Sequence, residues 1–434
     1  MSASICAGPV GRSVSKPVSH GALALVVVLT ILAGQFAVHM LQLARKGEHR
    51  DFAAVYTAAH VFRSGGEFYD PRIHETGVNR NEVLIEAAKR LGTLHAHDNF
   101  VHIHEFSYPP FTVLAFIPFT ALSFQPAAVL WQALSLGFLA VAGWCLWRSV
   151  PLSLEAGFVL VSVVLVCEPL ENSLGLGQIN LLILALTCVF LAALHEGRPA
   201  MAGVAIGLAA ALRVHPALFI LYLAWRKEWR ACAWGVGTAM ACTLIAIPLV
   251  GWDATVQYAT LVAPKYARAF AGLGNHSLTG LMINTGVGLL DAVPVDLWRF
   301  IGQAASFGLL AAAFAILRPT GRVAPDRMVA EIAFLSAVLL LATPNTTINH
   351  LVFTVIPLAV LLERALGPDR QVALIPWIAV AVLMIGGISD YYAHPLIAAG
   401  PAVLLGGIKT YGLLILAVLT FRLVRPSRSN ATPL

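Results

Sequence analysis

Apolar runs about as long as a lipid bilayer is thick recur from one end of this chain to the other. A helix needs about 20 such residues to cross the hydrocarbon core, and repeated runs of that length point to a membrane bundle. Of the 434 residues, 58% are hydrophobic and 12% are charged, whereas an ordinary soluble domain carries about 25% charged residues. This composition excludes a soluble globular enzyme, a disordered tail protein and a fibrous protein. The chain reads as an all-α polytopic membrane protein whose helices form one unit.

About 12 spans are predicted: 21–44, 110–124, 126–148, 154–170, 177–196, 200–222, 231–250, 296–317, 328–343, 350–365, 371–388 and 400–423. Arg12 and Lys16 precede the first, as in a signal peptide. That run is too long for a signal h-region, and no small-x-small cleavage site follows before Gln42 and Arg45, so it is expected to stay as a helix. Basic residues set the orientation. Arg226, Lys227 and Arg230, then Arg318, Arg322 and Arg327, then Arg364 and Arg370 fall in short loops. Arg422, Arg425 and Arg428 follow the last span. Such loops stay in the cytoplasm under the positive-inside rule. The tails 1–20 and 425–434 are then cytoplasmic, 21–424 is a single transmembrane domain, and 45–107, 251–295, 344–349 and 389–399 face outside. The expected location is the plasma (inner) membrane. The net charge of +6 serves this topology and attracts anionic lipid, with no call for nucleic acid. Cys145, Cys167, Cys188, Cys232 and Cys242 lie in apolar segments and Cys6 in the tail. No zinc or disulfide spacing appears among them.

The first outer loop, 45–107, carries a third of the charged residues and half of the 14 histidines. A simple connection between spans needs only a few residues, so this loop is expected to be a folded functional element. In 51–64, Phe52, Val55, Ala59 and Phe62 share a helical face, and Gly65-Gly66 end the helix. In 80–91, Val83, Leu84, Ala87, Ala88 and Leu91 share another face. That second amphipathic helix is expected to lie on the outer membrane surface.

Asp51 heads the first of these helices, a few residues beyond the first span. Its plain role is to favour the helix dipole. Its chemical role is that of a general base at the rim of a lipid-facing cavity, where partial burial raises a carboxylate toward the useful range. Further motifs follow in order. Tyr69-Asp70-Pro71 comes first, then Ser107-Tyr108-Pro109-Pro110 and Glu168-Pro169. Gly177-Gln178-Ile179-Asn180 is next, then the run Gly207-Leu208-Ala209-Ala210-Ala211-Leu212-Arg213-Val214-His215-Pro216. Asn275-His276-Ser277-Leu278 stands in the second long outer loop, and Thr343-Pro344-Asn345 precedes His350.

In this order, from about residue 20 to 365, the elements resemble glycosyltransferase family 87, the polyprenyl-phosphate-mannose-dependent α-1,2-mannosyltransferases and their relatives. One departure is Arg213, where such proteins usually carry Lys. A forked guanidinium is not equivalent to a point-charge ammonium. The resemblance implies a GT-C-type bundle with its site on the outer face. It implies a polyprenyl-phosphate sugar donor, a glycolipid or glycan acceptor and surrounding membrane lipids as partners. The implied reaction is an inverting displacement. Asp51 matches the family's catalytic aspartate, and the departing lipid phosphate needs cationic or donor groups around it.

Candidates for that task are spread along the chain. Lys265 and Arg268 can share a helical face in the outer loop, or simply attract lipid headgroups. His276, beside Asn275, can donate to a phosphate or a sugar hydroxyl. His350 stands at the outer end of a span, after Asn345. Tyr108 suits sugar stacking or an interfacial anchor. Arg213 lies inside span 200–222, where a charge costs about 2.5–3.5 kcal/mol, so it calls for a partner. Glu168 is a plausible one. The predicted topology puts Glu168, Gln178 and Asn180 near cytoplasmic helix ends, as a structural polar network beneath the site.

His95, His97, Asp98, His102 and His104 form a cluster read as a solvated loop, so neither a metal nor another cofactor is expected. No DxD motif appears in the cytoplasmic loops, in keeping with a lipid-linked donor. The alternative is a transporter or lipid flippase, which would line a path at mid-membrane with ionisable residues. In a non-catalytic scaffold, Asp51 would be dispensable.

Overall fold

A computed structural model describes residues 20–46, 49–69, 81–93, 95–97, 100–102, 106–290, 293–318, 323–387, 397 and 400–425. The terminal tails, Asp70, Pro71, Arg322, Arg428 and most of 389–399 therefore lie outside the described residues.

Helix α1 (His20–Lys46) is a long apolar rod with Arg45 and Lys46 at its end. It packs only against the edge of the bundle. His49 takes a left-handed turn (φ 42°), and α2 (Arg50–Arg63) starts there. The amphipathic pattern predicts one buried stripe on α2. The helix is instead buried on nearly every side, because five other segments surround it. Phe52 stacks 6.1 Å from Phe124 and 6.0 Å from Trp131. Gly65, at φ +73°, follows the end of α2. Helix α3 (Glu82–Leu91) packs on α2 through Leu84, Ala87 and Ala88, while Val83 is exposed. The all-helical expectation needs one correction. His95–His97 and Phe100–His102 form an antiparallel hairpin, β1 and β2. The side chains of the histidine cluster lie outside the described residues.

The remaining helices are α4 (Pro110–Phe116), α5 (Phe124–Ser149), α6 (Leu154–Val166), α7 (Glu168–Leu176), α8 (Asn180–His195), α9 (Pro199–Leu212), α10 (Ala217–Trp225) and α11 (Trp229–Val250). They continue with α12 (Trp252–Gln257), α13 (Ala263–Ala267), α14 (Leu278–Leu289), α15 (Val295–Ile316), α16 (Pro325–Ala342), α17 (Val355–Leu366), α18 (Ile375–Gly386) and α19 (Ile408–Val424). Helix α8 forms the centre, enclosed by α5, α9 and α16. Helices α9 and α11 touch backbone to backbone. A Cβ on Gly207 would sit 2.4 Å from the Gly235 carbonyl oxygen. Small residues are what let membrane helices approach so closely.

Among the described residues, six helices are long and apolar enough to cross a membrane. A seventh appears if α7 and α8 are one broken span, bent by 120°. The chain is a multi-pass membrane protein, with further shorter apolar helices among the described residues. Several predicted spans are short helices or broken ones. The span 200–222 stops at Leu212, where Arg213 turns extended (φ −154°, ψ 129°), and resumes at Ala217. Pro216 lacks the N–H that a continuous helix would use.

A buried ionic cluster ties the opposite end of the bundle. Glu331 accepts from Arg226 Nε at 2.8 Å, Tyr222 Oη at 3.0 Å and Arg327 Nε at 2.9 Å. Arg226, read from sequence as a loop cation, is 1% exposed, and Glu331 is 0% exposed.

Candidate active site

The site is assembled where three helices break. Asp51 occupies the first turn of α2, where the exposed N–H dipoles favour a negative charge. Helix α7 ends at Gly177 with φ +69°. A Cβ there would come 2.6 Å from Phe52 Cβ, so both the left-handed turn and the contact with α2 require glycine. Trp131 Nε1 donates to the Gly177 carbonyl at 2.9 Å and fixes the bend. The next residue, Gln178, then donates from Nε2 to Asp51 Oδ2.

The array continues from there. Tyr108 Oη donates to Gln178 Oε1 at 3.4 Å. The Tyr108 ring lies 5.5 Å from the Arg213 guanidinium carbon. Arg213 Nη1 donates to Asn180 Oδ1 at 2.7 Å, and Asn180 Nδ2 donates to the Asn349 carbonyl at 3.0 Å. Arg213 Nη2 lies 2.6 Å from His350 Nε2. On the far side of that imidazole, Nδ1 lies 3.0 Å from Thr347 N and 2.9 Å from Thr347 Oγ1. A neutral imidazole has one acceptor nitrogen and one N–H. Arg213 can only donate, so at 2.6 Å His350 Nε2 is its acceptor, and the imidazole proton is on Nδ1, toward Thr347 Oγ1. A guanidinium held in this way by Asn180 and His350 suits an anionic oxygen placed against it.

Asp51 is partly buried. Burial pushes its carboxyl up to about 6, opposed by the Gln178 hydrogen bond and by the charges of Arg213 and Arg50. A carboxylate in that range accepts a proton well near neutral pH.

Other candidates stand apart from this array. Asn275 stitches loops, donating to the Pro344 carbonyl at 2.9 Å and accepting from Thr346 N at 3.2 Å. Asn345 does the same, donating to the Tyr266 carbonyl at 2.8 Å. His276 is buried, its peptide N–H bonded to the Thr346 carbonyl at 2.7 Å. Burial and the nearby Lys409 charge push its imidazole down to about 3. Arg268 pairs with Asp296 at 2.9 Å on the surface. Lys265 lies 5.9 Å over the Tyr266 ring.

Two expectations change. Glu168 does not partner Arg213. It accepts from Lys409 Nζ at 2.6 Å, and Lys409 is 0% exposed. Gln178 and Asn180 are not a network beneath the site, because the α7–α8 bend brings both into it. The run Gly-Gln-Ile-Asn between two apolar segments held that signal. Sequence reasoning also passed over Thr347 and Lys409.

The family model of glycosyltransferase family 87 matches residues 106–344. The chain belongs to glycosyltransferase family 87. Tyr108, Gln178, Asn180 and Arg213 fall inside the family match, while Asp51 and His350 reach it only through the fold. Within this family's neighbourhood, the chain is 25% identical over 223 residues to the polyprenol-phosphate-mannose-dependent alpha-(1-2)-phosphatidylinositol pentamannoside mannosyltransferase of Mycobacterium tuberculosis. That alignment covers 47% of this chain and 51% of that protein. It is 29% identical over 205 residues to the alpha-(1->3)-arabinofuranosyltransferase of the same species, covering 46% of this chain and 41% of that one. The chain spans about half the length of the curated relatives it matches. Among solved structures, ArnT from Cupriavidus metallidurans in the apo state overlaps 93% of this chain and 78% of its own. That likeness has a TM-score of 0.40 at 15% identity, too slight to bear on the argument.

Proposed function

We propose that this family 87 protein is a membrane glycosyltransferase of the GT-C type, using a polyprenyl-phosphate sugar as donor and acting on the extracytoplasmic face. The transferred sugar is a hexose, mannose being the first choice because the mannosyltransferase relatives use polyprenol-phosphate-mannose. The acceptor is a glycolipid or glycan.

One observation carries this reading. A partly buried carboxylate, Asp51, is joined through Gln178 and Tyr108 to the guanidinium of Arg213, which His350 and Asn180 hold. In the proposed reaction, Asp51 accepts the proton of an acceptor hydroxyl as that oxygen attacks the anomeric carbon. The bond from that carbon to the phosphate oxygen breaks. The lipid phosphate leaves with one more negative charge, which Arg213, held by Asn180 and His350, meets. Donors aimed at developing charge stabilise such a step more than they stabilise the bound substrate. Attack opposite the leaving group inverts the anomeric configuration.

The test is sugar transfer by purified protein in lipid nanodiscs, with radiolabelled polyprenyl-phosphate mannose and a membrane lipid extract. Transfer by the wild type and none by a folded Asp51→Asn variant is the expected result. Transfer by both would remove Asp51 from the chemistry. No transfer by the wild type with mannose, glucose or arabinose donors would overturn the enzymatic reading.

A further inference from the structure

The array has an aromatic neighbour supplied by a different loop. Tyr69 donates from its hydroxyl to the Tyr108 carbonyl at 2.6 Å, which ties it to the wall under Arg213. On its other side, the Tyr69 ring lies 6.1 Å from the ring of Tyr258. Tyr258 opens a single π-helical turn, Tyr258–Val262, between α12 and α13. Such turns widen a helix locally and cluster at functional positions. This one begins at the residue that meets Tyr69.

Tyr258 is half-buried, and among the described residues its hydroxyl has no hydrogen-bond partner. By contrast, the hydroxyls of Tyr56, Tyr69, Tyr108 and Tyr222 are all bonded within the fold. Burial pushes the Tyr258 hydroxyl up to about 12, while the charge of Arg213 acts in the opposite sense. The group therefore stands within the field of the site's own cation. An aromatic face with a polar tip is suited to a place that is apolar on one side and wet on the other.

We infer that Tyr258 is a specificity-determining residue that packs its ring on a pyranose of the acceptor and offers its hydroxyl to that sugar. The inference rests on the proposed glycosyltransferase reading and deepens it. Tyr258 comes from the second outer loop, next to Tyr69, which is bonded to the Tyr108 carbonyl, and the separate KM values for the two substrates read which sugar it meets. In this arrangement α12, the π turn and α13 form the outer wall of the acceptor's entry.

The experiment uses the full chain in nanodiscs with octyl α-mannoside as the acceptor probe. The Tyr258→Ala variant is expected to raise the KM for octyl mannoside by about tenfold or more, the size of one contact near 1.4 kcal/mol. The KM for polyprenyl-phosphate mannose should change far less. Tyr258→Phe, which keeps the ring, should fall between Tyr258→Ala and the wild type. Calorimetric titration of octyl mannoside reads the same contact without turnover, with the same order of affinities expected. An unchanged acceptor KM in Tyr258→Ala, or an equal rise in both KM values, would overturn the inference while leaving the transferase reading intact. Absence of calorimetric binding to the wild type would also overturn it. Mannoside binding without any transfer would instead count against the proposed function.

Discussion

Gln178 donates a hydrogen bond to Asp51 across 127 residues of sequence. It can do so only because Gly177 ends α7 in a left-handed turn against Phe52. The carboxylate thus has its strongest neutral partner at the tip of a re-entrant bend.

This relationship sets the pH dependence. With Asp51 raised to about 6, transfer should rise with pH through that value as the base becomes ionised. Gln178 holds the ionised form, so removing it raises the carboxyl further. A Gln178→Leu variant should show its rate profile displaced to higher pH, and pre-steady-state transfer between pH 5 and 9 checks it. A profile unmoved in Gln178→Leu would contradict the contact.

Stability carries the opposite sign. A carboxyl raised on folding, as Asp51 is, stabilises the fold below its unfolded value, and that contribution is lost as pH rises through the folded value. Asp51→Asn removes this group. Relative to wild type, it should melt at higher temperature at pH 8 and lose that advantage near pH 4, by thermal unfolding in detergent. Its transfer rate should nevertheless fall about 10²–10⁴-fold, the usual worth of a general base.

Arg213 contacts Asn180 and His350 with separate nitrogens. Lysine keeps the charge but loses the fork. Arg213→Lys should transfer about tenfold more slowly and bind polyprenyl phosphate more weakly. Arg213→Met should lose about 10²–10³-fold, as when a preorganised donor is removed. Product-inhibition constants check the phosphate contact directly.

Gly177→Ala should behave differently from a surface glycine change. Its strain, of order 1–3 kcal/mol, is located where the bend meets Phe52. Loss of transfer with only modest loss of melting temperature is expected.

The Glu331 cluster should govern folding without governing chemistry. Glu331→Gln leaves Arg226 buried without its carboxylate. A cost of about 3–5 kcal/mol is usual for such a break. Thermal unfolding should report the loss, and the double variant Arg226→Met/Glu331→Leu should recover much of it.

Much of this was legible in the sequence. Apolar runs mark the membrane, and Asp51, Tyr108, Arg213 and His350 stand out as polar residues at the borders of apolar runs. The remainder depends on where helices break. Hydropathy treats 154–170 and 177–196 as two crossings and cannot register a 120° turn between α7 and α8. Hydropathy therefore separates Gln178 and Asn180 from Asp51 and Arg213, which they touch. Arg213 looked costly because its span was read as continuous, but the break after Leu212 opens it to Asn180 and His350. Lys409, the partner of Glu168, lies 241 residues away in sequence, and no local pattern links them.

The Lys409–Glu168 contact also orders events in time. Helix α7 is tethered at its first residue by α19, and at its far end it delivers Gln178 to Asp51. While the nascent chain is inserted, Glu168 enters the membrane long before its cation exists. A lone carboxylate there is costly until residue 409 arrives. The tether on α7 is therefore complete only once Lys409 has been made, 241 residues after Glu168.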